Sequence, residues 1–131
     1  MSADSPQTVF DTIGPETFQR FVHGFYQRVA TDDILGPMYP SDDMEGAEER
    51  LRLFLQQYWG GPAEYSQQRG HPRLRMRHMP FRIDVHARDR WLDLMAASLE
   101  EIPDEELPQA ERRALWDHMV RVADMLINAH P

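Results

Sequence analysis

Among 131 residues there is no cysteine and no lysine. Without cysteine there is no disulfide framework, no thiolate metal site and no cysteine nucleophile, so a metal has to rest on histidine, carboxylate or a prosthetic group. Long apolar runs are missing too. No window approaches the roughly 20 apolar residues that cross a bilayer, and the opening MSADSPQT lacks the basic and apolar regions of a secretion signal. The expected address is therefore the cytoplasm, with no membrane partner. No segment of useful length alternates with a period of two, and neither an internal repeat nor a low-complexity stretch is visible, which leaves a mainly α chain. There is no HExxH pair and no His/Asp cluster at zinc-like spacing, so a zinc hydrolase has no support.

What is present first is helical periodicity. Phe18, Phe21, Val22, Phe25, Tyr26 and Val29 fall on one face of a helix over 17–29 that begins after Pro15, with a short helix expected near Thr8 to Thr12. Asp42 and Glu45 have capping-box spacing, and Ala47, Leu51, Phe54, Leu55 and Tyr58 then form an apolar stripe. Gly60-Gly61-Pro62 stops that helix. From Asp84, the positions Val85, Arg88, Trp91, Leu92, Met95, Leu99 and Ile102 repeat at helical spacing up to Pro103. After Pro108, a fourth helix carries Leu115, Met119, Val122, Ala123, Leu126 and Ile127. A chain of this length with four substantial helices fits one domain over 1–131. About two dozen residues rich in Gly, Pro and Arg separate the second helix from the third, a long connection of the kind that carries function.

Within that connection lies RGHPRLRMRHMPFR, residues 69–82, with five arginines, two histidines and no acid. The rest of the chain holds nine arginines against 22 acidic residues, a formal −13. That remainder repels nucleic acid at long range and favours a small anionic ligand held locally. Of the six histidines, His23, His86 and His130 sit on polar faces or at the terminus. His118 lies beside an apolar stripe, as a packed residue would, and His71 before Pro72 suits a polar surface role. His78 differs. Met76, Met79 and Phe81 supply apolar bulk around it while Arg75, Arg77 and Arg82 supply cations, a mixture suited to a flat apolar ligand with anionic edges and a metal centre. A solvated basic loop is the ordinary form of such a strip, and on composition alone both readings stand.

The segments DILGPMYPSDDMEGAEERLRLFLQQYWGGP and YSQQRGHPRLRMRHMPFRI, with Phe25-Tyr26 and Trp91, resemble the group II truncated haemoglobins from about residue 8 to 128. The resemblance implies an all-α, two-over-two helical sandwich around haem b. It implies that His78 is the iron ligand, that Arg77 and Arg50 approach the haem propionates, with Tyr65 a loop candidate for the same task, and that Phe81 follows the haem face. On the other side it implies Tyr26, Tyr39 and Trp91 as polar donors. Ala47 would leave the approach to the iron open, and Leu51 and Phe54 would form the apolar wall. Phe18 and Phe21 are expected in the core. The departure is Gly14-Pro15, where family members often have two glycines; Gly60-Gly61 is kept.

The function expected is binding of oxygen, nitric oxide or carbon monoxide at a His-ligated iron. Nitric oxide oxidation or peroxidase-like turnover is an extension that needs a separate electron donor, and homodimerisation stays open. The rival is a non-haem helical interaction module that uses the arginine strip. Arg69, Arg73, Arg75 and Arg82 are expected to form salt bridges with the acidic remainder.

Overall fold

Helix α1 (Val9–Val29) starts at Thr8, whose hydroxyl accepts the Asp11 N–H at 3.0 Å while the Asp11 carboxylate accepts the Thr8 N–H at 3.3 Å, a closed capping box. In the computed structural model, which describes residues 7–129, the expected short helix and the first long one form a single element broken by a kink. Gly14, at φ 80° and ψ 162°, takes a backbone conformation costly for a side chain, and Pro15, lacking an N–H, begins the second segment. The Gly14-Pro15 turn thus preserves the junction.

Helix α2 (Met44–Tyr58) is capped by Asp43, which accepts from the Gly46 N–H at 3.2 Å. The cap expected at Asp42 therefore lies one residue later, without a glutamate partner. The following connection is not all irregular, because two short helices, α3 (Glu64–Arg69) and α4 (Leu74–His78), occupy it. Helix α5 (Val85–Glu100) is capped by Asp84, and α6 (Gln109–Leu126) follows Pro108. Ile102 is buried beyond the end of α5.

The layers are fixed by apolar faces. α1 packs on α2 and α5, α5 packs on α6, and α4 rests on α6. Phe18, Phe21, Val22, Phe25 and Val29 are fully buried and meet Met95 and Leu99 of α5 and Leu115 of α6. Burial of each such side chain contributes about 1.5–3 kcal/mol. At Gly61 a side chain would stand 2.8 Å from both the Gln56 carbonyl and the Phe10 ring. Glycine there lets the start of α1 settle on the end of α2, where the Phe10 N–H donates to the Trp59 carbonyl at 3.0 Å. Tyr58, expected in the stripe of α2, is instead 54% exposed. One of its faces still stacks on His118, at 3.8 Å between ring centroids. Among the described residues every regular element is helical, and none is long and apolar enough to cross a membrane.

Candidate functional site

Between these helices lies a cavity of about 630 Å³, within the range of small-molecule and cofactor sites. All eleven residues singled out above line it: His78, Tyr26, Tyr39, Trp91, Ala47, Leu51, Phe54, Arg50, Tyr65, Arg77 and Phe81.

His78 enters from the last turn of α4. Its Nδ1 lies 2.6 Å from the Leu74 carbonyl, so the proton belongs on Nδ1 as the donor and Nε2 keeps its lone pair. The backbone that carries this ring is tied down from a distance. The Asn128 amide donates to the Phe81 and His78 carbonyls at 2.9 and 3.3 Å, and its oxygen accepts the Ile83 N–H at 2.8 Å. The Asn128 N–H donates in turn to the Ile83 carbonyl at 2.9 Å. Sequence reasoning missed Asn128, and only its polarity at the end of an apolar helix could have signalled it.

Arg77 braces the loop before α4, donating from Nε to the Pro72 carbonyl at 2.7 Å and from a terminal nitrogen to the Arg69 carbonyl at 3.1 Å. Arg50 lines the cavity while paired with Asp43 at 3.2 Å. Tyr65, expected in a loop, is buried on α3 and meets Phe54 edge to face at 5.5 Å. Arg69 also lines the cavity. Its expected salt bridge, like those of Arg73, Arg75 and Arg82, is absent among the described residues. The ion pairs with arginine that do form belong to Arg20, Arg28, Arg50, Arg88, Arg90 and Arg112.

The three polar aromatics come from α1, the loop after the Gly36–Met38 turn, and α5. Phe25 bridges them, 5.3 Å from Tyr26 and 5.1 Å from Trp91, and Tyr26 meets Tyr39 edge to face at 5.5 Å. The Tyr26 hydroxyl donates to the Ala47 carbonyl at 3.1 Å. Burial, reinforced by the neighbouring Tyr39, raises its pKa far above the ordinary tyrosine value. Tyr39 is pushed up to about 12 by burial, partly offset by the Trp91 indole N–H. Both phenols are thus protonated donors at neutral pH.

His118 also lines the cavity, is 4% exposed, and its Nδ1 has no hydrogen-bond partner. Burial and then Arg121 lower its pKa, which keeps the ring neutral, as a packed residue. His23, His71 and His86 are exposed, and His23 contacts Glu48 at 3.0 Å. His130 lies outside the described residues. No cluster of three or more His, Asp or Glu fit to hold a metal occurs among the described residues.

Residues 8–128 match the model of the bacterial-like globin family. The group 2 truncated hemoglobin YjbI of Bacillus subtilis is 41% identical over 93 residues, which are 71% of this chain and 70% of that protein. Two-on-two hemoglobin-3 of Arabidopsis thaliana is 36% identical over 73% of this chain, and the match spans 56% of the plant protein. Among solved structures, a thermostable hemoglobin from Thermobifida fusca superposes with a TM-score of 0.88 at 49% identity, covering 95% of this chain and all of that one.

Proposed function

The chain belongs to the bacterial-like globin family, whose truncated haemoglobins hold haem and bind diatomic ligands, and on that premise we propose that His78 is the iron ligand and Tyr26, Tyr39 and Trp91 the ligand-stabilising donors. The observation that carries this is one cavity that combines an oriented imidazole with three polar aromatics, Tyr26 buried and Tyr39 and Trp91 half-buried. The residues present fit haem. Leu51, Phe54, Met119 and Leu126 offer an apolar bed, and Arg50, Arg69 and Arg77 put cations on the cavity lining for two carboxylates. A ring with its proton on Nδ1 presents Nε2 to a metal, and the Leu74 carbonyl fixes the ring's orientation.

When bound, haem supplies an iron that takes up oxygen, nitric oxide or carbon monoxide and exchanges electrons. The chain's own residues do the rest. Trp91 and Tyr39 present N–H and O–H groups in a largely apolar cavity, where donors act on developing negative charge with little reorganisation. Ala47 leaves the approach open, Leu51 and Phe54 exclude water, and Arg77 holds the loop before α4 in place. Such donors slow ligand release, which favours redox chemistry, nitric oxide oxidation to nitrate or peroxidase-like turnover, over storage. The electrons then come from a separate donor.

Haem titration tests the core of this reading. The chain should take up about one equivalent with an intense Soret band. His78→Gly should lose haem readily and regain a ligated spectrum on addition of imidazole. A variant with unchanged spectra and retention would exclude His78 as the ligand.

A further inference from the structure

The arginine strip has two faces with different surroundings. On α4, Leu74, Arg77 and His78 are at helical spacing and line the cavity. Arg73, Arg75 and Arg82 do not reach it and are exposed, as are Met76 at 57% and Met79 at 70%. Six of the nine arginines outside the strip are ion-paired, while none of the five within it is, among the described residues. Pairing these guanidinium groups internally needs only a nearby acid, and the chain has 22 acidic residues, none inside 69–82. The outcome is a cationic face carrying exposed thioethers, on a body that is otherwise strongly negative.

We propose that Arg73, Arg75 and Arg82, with Met76 and Met79, dock the acidic face of a separate one-electron carrier protein of the flavin or iron–sulfur type. The carrier gives up one electron and the ferric haem iron becomes ferrous; no covalent bond forms or breaks. This rests on the haem reading above. The face is the outer surface of the segment whose inner surface carries His78, so a carrier docked there is one short helix away from the iron's ligand. Complementary charge steers such encounters, and flexible methionines accommodate a transient, loosely packed contact. An extended anionic surface, such as a membrane or a nucleic acid, would also meet the field of the −13 remainder. A compact acidic patch meets the strip alone within a Debye length of about 8 Å.

The test uses flavodoxin as the acidic carrier. Ferric holoprotein is mixed with flavodoxin hydroquinone across a salt series, and binding of oxidised flavodoxin is followed by NMR titration. Arg73 has a left-handed backbone, φ 47°, which asparagine tolerates, so the variant is R73N/R75Q/R82Q. Its second-order reduction rate should fall roughly tenfold or more at low salt, with a flatter salt dependence and weaker binding. The control R52Q/R113Q/R121Q makes the same charge change with arginines outside the strip and should stay within about twofold of wild type. Unchanged Soret spectra establish that both variants fold around haem.

Equal rates in wild type and the strip variant overturn the proposal, as does equal slowing in both triple variants, which would reflect net charge only. So does loss of binding to phosphatidylserine vesicles with flavodoxin reduction unchanged, which would assign the face to lipid. A chain that takes up no haem fails the haem reading instead, and the flavodoxin titration still decides whether this face docks an acidic protein.

Discussion

The two walls of the cavity are built on opposite principles. The aromatic wall, from α1, α2, α5 and the loop that carries Tyr39, rests on long helices with buried apolar faces, and its polar atoms answer one another: Tyr26 to the Ala47 carbonyl, Tyr39 against Trp91. The wall that carries His78 is a strap of two helices of six and five residues. Helices so short have little stability of their own, and hydrogen bonds from Arg77 and Asn128 hold them instead. One wall is set by apolar burial, the other by a few directed polar contacts. Rigidity at the site therefore has two separate sources, and each can be removed without the other.

Removing Phe25, buried at the centre of the aromatic wall, should have the largest effect. Phe25→Ala is expected to cost about 3–5 kcal/mol in urea unfolding, whereas Met79→Ala on the strap should fall within about 0.5 kcal/mol of wild type. Comparable losses would break the contrast. Next in size is Asn128→Ala, which takes their donor from the exposed Phe81 and half-buried His78 backbone carbonyls. A loss of about 0.5–1.5 kcal/mol per bond should appear as faster haem release, while oxygen dissociation stays near wild type; stopped-flow transfer of haem to an acceptor globin measures the first.

Within the aromatic wall the donors are not equal. Trp91→Phe should speed oxygen dissociation roughly tenfold, the equivalent of one hydrogen bond. Tyr26→Phe should speed it less, by about threefold, because the Tyr26 proton is shared with the Ala47 carbonyl. A larger effect at Tyr26 would mean that its hydroxyl turns away from Ala47 in the liganded protein.

A further effect concerns pH. His118 has its folded pKa below the ordinary 6.5, so under acid the unfolded chain binds a proton that the folded chain refuses. The stability from the neutral ring is present above pH 6.5 and is lost as the pH falls. Between about pH 7.5 and about pH 5.5 wild type should lose up to ~1 kcal/mol more than His118→Phe. Equal slopes in urea titrations would contradict this.

The same contrast explains what could be read from the sequence. Phe18, Phe21, Val22 and Phe25 announce α1 through their spacing, and the stripes of α5 and α6 do likewise, because long helices repeat their buried positions several times. The strap has no such repeat. Helices of five or six residues complete fewer than two turns, so α3 and α4 leave no periodic trace and Tyr65 could not be assigned to a helix. The cap at Asp43 rather than Asp42 depended on which carboxylate reaches Gly46, a matter of backbone angle. Tyr58 fits the stripe of α2 by number, but its position near the helix end leaves half of it in solvent. His78 stood out by its mixed apolar and cationic neighbours, whereas the other site residues were legible only through family resemblance. Their arrangement depends on partners far apart in the chain, such as Tyr26 with Ala47 and His78 with Asn128. The unpaired arginines could not be foreseen from a chain so rich in acid.

The clamp on the strap has a consequence for synthesis. His78 and the residue whose amide holds its backbone are 50 positions apart, and α6, on which α4 rests, is made between them. At roughly 5–20 residues per second, several seconds pass between translation of the imidazole and of the residue that secures it. Throughout that interval a nascent chain offers the cofactor a ring without its buttress. Secure haem capture is therefore an event that follows translation of Asn128 rather than accompanying that of His78.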